Sequence, residues 1–99
     1  MPAYIIAFVE VTDRERYAEY MKITPSIIAQ FGGKFIARGG KTEILEGPEE
    51  RRRIVLIEFP TFEQAHAFYH SEQYKDTKKM RAGAATATFL LVDGWTPAG

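Results

Sequence analysis

Ser71, Tyr74, Lys78 and Arg81 recur at spacings of three and four, so on a helix they share one stripe that carries a hydroxyl, a phenol and two cations. Such a stripe suits an anion. Tyr74 is the only aromatic residue of its segment, which turns the stripe inward, and a guanidinium drawn in with it needs a carboxylate or an anionic ligand. Glu58 is the first protein candidate for that role, with Asp93 and Glu10 behind it. The plainer alternative makes Ser71 a helix cap and sets Lys78, Lys79 and Arg81 against the negative end of a helix dipole, which is the commoner arrangement.

His66 stands with Phe62, Ala65 and Tyr69 at helical spacing, which directs it toward the core side of its helix. An unperturbed imidazole titrates at about pH 6.5, so His66 is the candidate catalytic residue for proton transfer, against the bland reading of a rim histidine or one bonded to a backbone carbonyl. His70, beside a predicted cap, is expected to be solvated. The two histidines lack the glutamate of a zinc-protease helix and a third ligand, so no metal is expected. Arg38 precedes Gly39-Gly40, where an anionic group could approach the backbone, although a surface ion pair is the commoner fate of such an arginine. Tyr17, Tyr20 and Tyr69 either wall an apolar cleft or are plain core.

The elements that must position these groups follow from pattern. Ala3 to Val11 and Ile54 to Phe59 are apolar on both alternating sets, as buried strands are. Thr12 with Glu15 forms a capping box for a helix whose apolar stripe runs from Tyr17 to Phe31, with a kink or restart expected at Pro25 and a stop at Gly32-Gly33. Lys34 to Arg38 and Lys41 to Glu46 read as extended, with a bulge at Gly39-Gly40 and a hairpin turn at Gly47-Pro48-Glu49-Glu50. Arg51 to Arg53 are balanced by Glu49 and Glu50, as a solvated turn. Thr61, with Gln64 in capping-box position, and Ser71 can each cap a helix. Gly83 marks a helix stop, and Thr86 to Val92 reads as the last strand.

Ninety-nine residues bound the chain to one domain, residues 1–99 with a core of about 3–94. Thirteen basic residues balance thirteen acidic ones, which removes the excess positive charge that nucleic-acid binding draws on. The chain contains no cysteine, so disulfides and thiolate chemistry are excluded, and no cofactor is called for. Neither a signal peptide nor an apolar run of about 18 residues is present, so a soluble protein with no membrane partner is expected, cytoplasmic by default.

The order β-α-β-β-α-β is that of an α+β, ferredoxin-like sandwich, a four-stranded antiparallel sheet with helices on one face. The first, third and fourth strands carry large apolar side chains on both faces, yet helices cover only one. Each large residue left bare forgoes roughly 1.5 to 3 kcal/mol of burial. A second copy, packed sheet on sheet, resolves this, so a homodimer is expected.

Asp13-Arg14-Glu15-Arg16-Tyr17, Gly32-Gly33, Ala37-Arg38-Gly39-Gly40, Glu46-Gly47, Ile57-Glu58-Phe59-Pro60, Ala65, Phe68-Tyr69 and Ser71-x-x-Tyr74 with Arg81 together resemble domain-of-unknown-function family 1330 of the dimeric α/β-barrel superfamily. The resemblance runs from about Ala3 to Gly94, and Glu72 departs from the proline that many members carry after the serine. It implies a ferredoxin-like dimer and no established reaction; the superfamily also holds cofactor-independent monooxygenases, haem-degrading enzymes and lactone isomerases. Fold does not choose among these chemistries.

Two functions follow. The first is a small-molecule-binding domain, of which a cofactor-independent monooxygenase- or isomerase-like enzyme is one form, acting on a small anionic or enolisable substrate. Its cleft would be lined by Tyr17, Arg38, His66, Tyr69, Ser71, Tyr74 and Arg81. The second is a non-catalytic dimeric module with a packed interior, in which a protein carboxylate satisfies Arg81. A tautomerase reading from Met1-Pro2 fits the element order less well, and an RNA-recognition reading fails because RRRIVLIEF lacks the aromatic pattern that stacks bases.

Overall fold

A computed structural model describes residues 1–97. The elements are β1 (Ala3–Val11), α1 (Arg14–Gln30), β2 (Lys34–Arg38), β3 (Arg53–Phe59), α2 (Phe62–Tyr69), α3 (Glu72–Arg81) and β4 (Ala85–Asp93). The four strands form one antiparallel sheet in the order β2-β3-β1-β4, the α+β, ferredoxin-like arrangement. The strand β1, apolar on both faces apart from Glu10, lies at the centre with β3. The helices cover one face, where Ala3, Ile5, Ala7, Val9, Val55, Ile57 and Phe59 are buried. The opposite face carries Tyr4, Ile6, Phe8, Ile54 and Leu56, all only half-buried, together with the exposed Leu90 and Val92. No helix among the described residues is long and apolar enough to cross a membrane.

Helix ends follow the capping residues, with one shift. Thr61 Oγ1 accepts from Gln64 N at 3.1 Å and Ser71 Oγ accepts from Tyr74 N at 3.1 Å. The first helix is capped by Asp13 rather than Thr12, its carboxylate accepting from Arg16 N at 3.2 Å. Thr12 is held at the end of β1 by its N–H, which, like that of Asp13, donates to Ala84 O. Gln64 does not return to the Thr61 backbone; its Nε2 donates instead to Phe31 O at 3.1 Å, tying α2 to the end of α1.

Pro25 does not break α1, which runs unbroken from Arg14 to Gln30. Proline lacks the N–H that would donate to Met21 O four residues earlier, so that carbonyl is released. Arg38 Nη2 donates to Met21 O at 2.8 Å and fills the vacancy, while its guanidinium stacks over the Phe35 ring at 4.2 Å. Arg38 is thus bound to backbone, not to a surface acid. An Arg38→Ala substitution is expected to cost about 1 kcal/mol of stability. In a Pro25→Ala background, where the restored N–H serves Met21 O, the cost should shrink. A urea-unfolding double-mutant cycle checks this, and strict additivity would disprove the compensation.

The second strand is shorter than its sequence predicts. It ends at Arg38, and residues 41–46 join no strand. The bulge lies between Phe35 and Ala37 rather than at Gly39-Gly40. Gly39 turns the chain at φ 70°, where any side chain would strike the Arg53 guanidinium. No tight hairpin forms at Gly47-Pro48, because β3 begins only at Arg53; the connection is a long exposed arm. Gly33, by contrast, is demanded by packing: a Cβ there would lie 2.5 Å from the Phe59 ring and 2.8 Å from Ile28.

Candidate functional site

A cleft of about 520 Å³ lies between α2, α3 and the edge strand β4. Alternation along β4 turns Ala87, Phe89 and Leu91 toward the helices, and Leu90 reaches the cleft from the other face of the sheet. Phe62, His66, Tyr69 and His70 come from α2 and its C-cap; Lys78 and Arg81 come from α3. The walls are largely apolar, the polar groups are two cations, two imidazoles and the Tyr69 phenol, and no carboxylate among the described residues lines the cleft.

Arg81 is its deepest polar group. It is 8% exposed, with its guanidinium 5.0 Å from the Phe89 ring centroid and 5.9 Å from that of Tyr20. Its Nε has no hydrogen-bond partner, and no carboxylate forms an ion pair with it among the described residues. Burial opposes the charge, yet the phenols of Tyr74 and Tyr20 beside it more than offset this, so Arg81 holds its proton more tightly than usual. Glu58 is not its partner. With Ile57 and Phe59 buried under the helices, strand parity sends Glu58 to the other face, where it pairs with Lys34 at 3.4 Å. Asp93 accepts from its neighbour Gly94 N, and Glu10 is exposed.

Around Arg81 the aromatic groups form a continuous stack. Tyr69 contacts Phe89 at 5.6 Å and Tyr74 at 5.4 Å, and Lys78 Nζ lies over the Tyr69 ring at 4.8 Å. His66 and His70 stack at 4.3 Å at the cleft mouth. His66 is exposed rather than turned to the core, because the inward line of α2 runs through Ala65 and Phe68, and His66 is one residue, about 100° of helix turn, off it. His70 is exposed as well, yet it faces the same cleft.

The other residues singled out by sequence lie elsewhere. Tyr74 is fully buried, and its hydroxyl shares a 2.6 Å hydrogen bond with that of Tyr20. Burial first, then the second phenol, raises the Tyr20 pKa; burial raises that of Tyr74 too. Tyr17, Tyr20, Tyr74 and Arg38 surround a void of only about 30 Å³, room for about one water and no ligand. Ser71 caps α3 and donates to Phe68 O at 2.7 Å. The structure thus brings His66, Tyr69 and Arg81 together and leaves Tyr17, Arg38, Ser71 and Tyr74 outside the cleft. Sequence reasoning missed Phe62, His70, Phe89 and Leu90 as lining residues. The i, i+4 spacing of the histidines was the one signal for His70.

A family model described as Domain of unknown function (DUF1330) matches residues 2–95. No curated protein matches the chain. Among solved structures, the RPA0582 protein of unknown function from Rhodopseudomonas palustris is similar, with TM-score 0.75 and 21% identity over 97% of this chain and 84% of that one. SnoaB, a cofactor-independent oxygenase from Streptomyces nogalater, is similar at TM-score 0.68 and 9% identity, covering 96% of this chain and 94% of that one. A dimeric ferredoxin-like protein of unknown function from Jannaschia sp. CCS1 is similar at TM-score 0.60 and 15% identity, covering 91% and 98%. At these identities the likeness establishes the fold alone.

Proposed function

The chain belongs to the DUF1330 domain family, and from the chemistry of its cleft we propose that it is a homodimeric small-molecule-binding domain for apolar molecules bearing an anionic or enolisable group. The observation that carries this reading is Arg81: a buried guanidinium with an unpartnered Nε and no counter-ion among the described residues, at the inner end of a cleft large enough for a ligand. A non-catalytic module would instead have a packed interior and a protein carboxylate on Arg81. In the catalytic form of this proposal, Arg81 holds the anion or developing enolate. His66, at the mouth, accepts a proton from the carbon beside the substrate carbonyl, and no cofactor is required.

The homodimer is proposed to form through the outer sheet face. Its apolar side chains, with Leu90 54% and Val92 43% exposed, have nothing of their own chain to cover them, and the Jannaschia neighbour is described as dimeric.

Naphthalene-2-carboxylate, an apolar monoanion, is a suitable probe. Arg81→Met keeps most of the side-chain volume and is expected to weaken its binding by about 10- to 100-fold, the equivalent of one lost charge-assisted hydrogen bond. Arg81→Lys should recover part of the loss, and the neutral naphthalene-2-methanol should bind both proteins alike. Unchanged affinity of Arg81→Met for the carboxylate, measured by calorimetry on folded dimer, would remove the anion site.

A further inference from the structure

The β2–β3 arm is little covered by the described residues of its own chain. Residues 40–49 are all exposed, and a side chain added at Gly40 or Gly47 would meet no atom within 4 Å. Leu45 is 88% and Ile44 44% exposed, an unusual place for two large aliphatic residues. They sit within KTEILEGPEE, whose four glutamates face a single lysine. Glu49 and Glu50 pair with Arg51 and Arg52, whereas Glu43 and Glu46 form no ion pair among the described residues. An acidic arm with an aliphatic pair at its middle complements a cleft with apolar walls, two fixed cations and no carboxylate.

The arm and the cleft of one chain lie on opposite edges of the sheet, because β2 and β4 are the two edge strands. Three inter-strand steps of about 4.8 Å separate those edges. When two such sheets pack face to face about a two-fold axis parallel to the strands, the β2 edge of one copy lies over the β4 edge of the other. Leu90 belongs to both the outer face and the cleft wall, so the cleft mouth is continuous with that interface. Resting on the homodimer and cleft described above, we propose that the arm of each protomer closes the cleft of its partner. Ile44 and Leu45 cover the apolar wall at Phe62 and Leu90, and Glu43 and Glu46 meet Lys78 at the rim. Each site is then complete only in the dimer, and the second copy brings the carboxylates that the cleft itself lacks.

The absence of cysteine makes the test direct. Leu45→Cys combined with His70→Cys, oxidised under mild conditions, should give a covalent dimer on a non-reducing gel. Leu45→Cys alone should not, nor should Leu45→Cys with Lys22→Cys, whose side chain is 70% exposed on α1. Light scattering before oxidation reports the dimer separately. A dimer in which the Leu45→Cys, His70→Cys pair fails to cross-link, or links only within one chain, overturns arm exchange and leaves the sheet-face dimer standing. Covalent dimer from Leu45→Cys alone places the arms against each other and also overturns it. A monomer by light scattering removes the dimer reading itself, and the exchange with it.

Discussion

An Ile6→Glu protein is expected to be a folded monomer at concentrations where the proposed sheet-face interface makes the wild type dimeric. Ile6 lies at the middle of the central strand, in register with Leu56 on one side and Leu90 on the other. In the separate subunit its position is half-exposed, so a carboxylate there reaches water at little cost. In the sheet-on-sheet dimer the same carboxylate, together with its symmetry mate, would be enclosed among Tyr4, Phe8, Ile54 and Leu56. The cations on that face are Lys34, paired with Glu58 at 3.4 Å, and Arg52, which lies over the Phe8 ring at 5.0 Å and is held by Glu50 at 2.8 Å; neither can swing across without breaking its pair. An unpaired buried carboxylate costs several kcal/mol, so the dimer dissociation constant should rise on the order of 1000-fold. Circular dichroism should be unchanged while light scattering reports half the mass. Dimers of unaltered stability would mean that the outer sheet face is not the interface.

The central strands and the helix starts were legible because their signals are local. Two-sided apolar runs mark β1 and β3, and Thr61 and Ser71 cap α2 and α3 as their types predict. The segment 41–46 misled because threonine, isoleucine and leucine favour strands only where a neighbouring backbone is available to pair. The edge of β3 is occupied by Lys34 to Arg38 alone. The repair of Pro25 by Arg38 links Met21 and Arg38, residues 17 apart, through a backbone carbonyl, and no periodicity announces it. In the candidate site, the burial of Arg81 was legible from its stripe. Its separation from Glu58 was not, because both faces of the third strand are apolar and the sequence does not say which of them meets the helices. The cleft was not legible, because it depends on β4 being an edge strand, and strand order leaves no trace in the residues of one strand.

Raising the pH from 9 to 11 is expected to destabilise the protein through Tyr20 and Tyr74. Both phenols are buried and share a 2.6 Å hydrogen bond, and burial is the largest cause of the upward displacement of each pKa. Arg81 pulls in the other direction on both, but less strongly than burial pushes. In the unfolded chain a tyrosine titrates near about pH 10, so above that pH the unfolded state sheds protons that the folded state keeps. The stability contributed by two neutral phenols is therefore complete below about pH 10 and falls as pH rises toward their folded-state values. The loss is about 1.4 kcal/mol for Tyr20 over the unit from pH 10 to 11, and Tyr74 adds to it in the same direction. Tyr20→Phe removes one of these protons. It should cost about 1 to 3 kcal/mol at pH 8, where Tyr74 loses its partner, and progressively less relative to wild type as pH climbs past 10. Urea unfolding at pH 8, 10 and 11, with protomer concentration held fixed because the proposed dimerisation would be linked to folding, separates the two slopes. Equal pH slopes for wild type and Tyr20→Phe would show that the phenol pair is not what holds the neutral form. Because the folded protein keeps both protons over this range, the hydroxyls beside the Arg81 guanidinium stay neutral and Arg81 stays in place. Naphthalene-2-carboxylate binding to the folded protein should therefore persist over the pH range in which stability falls.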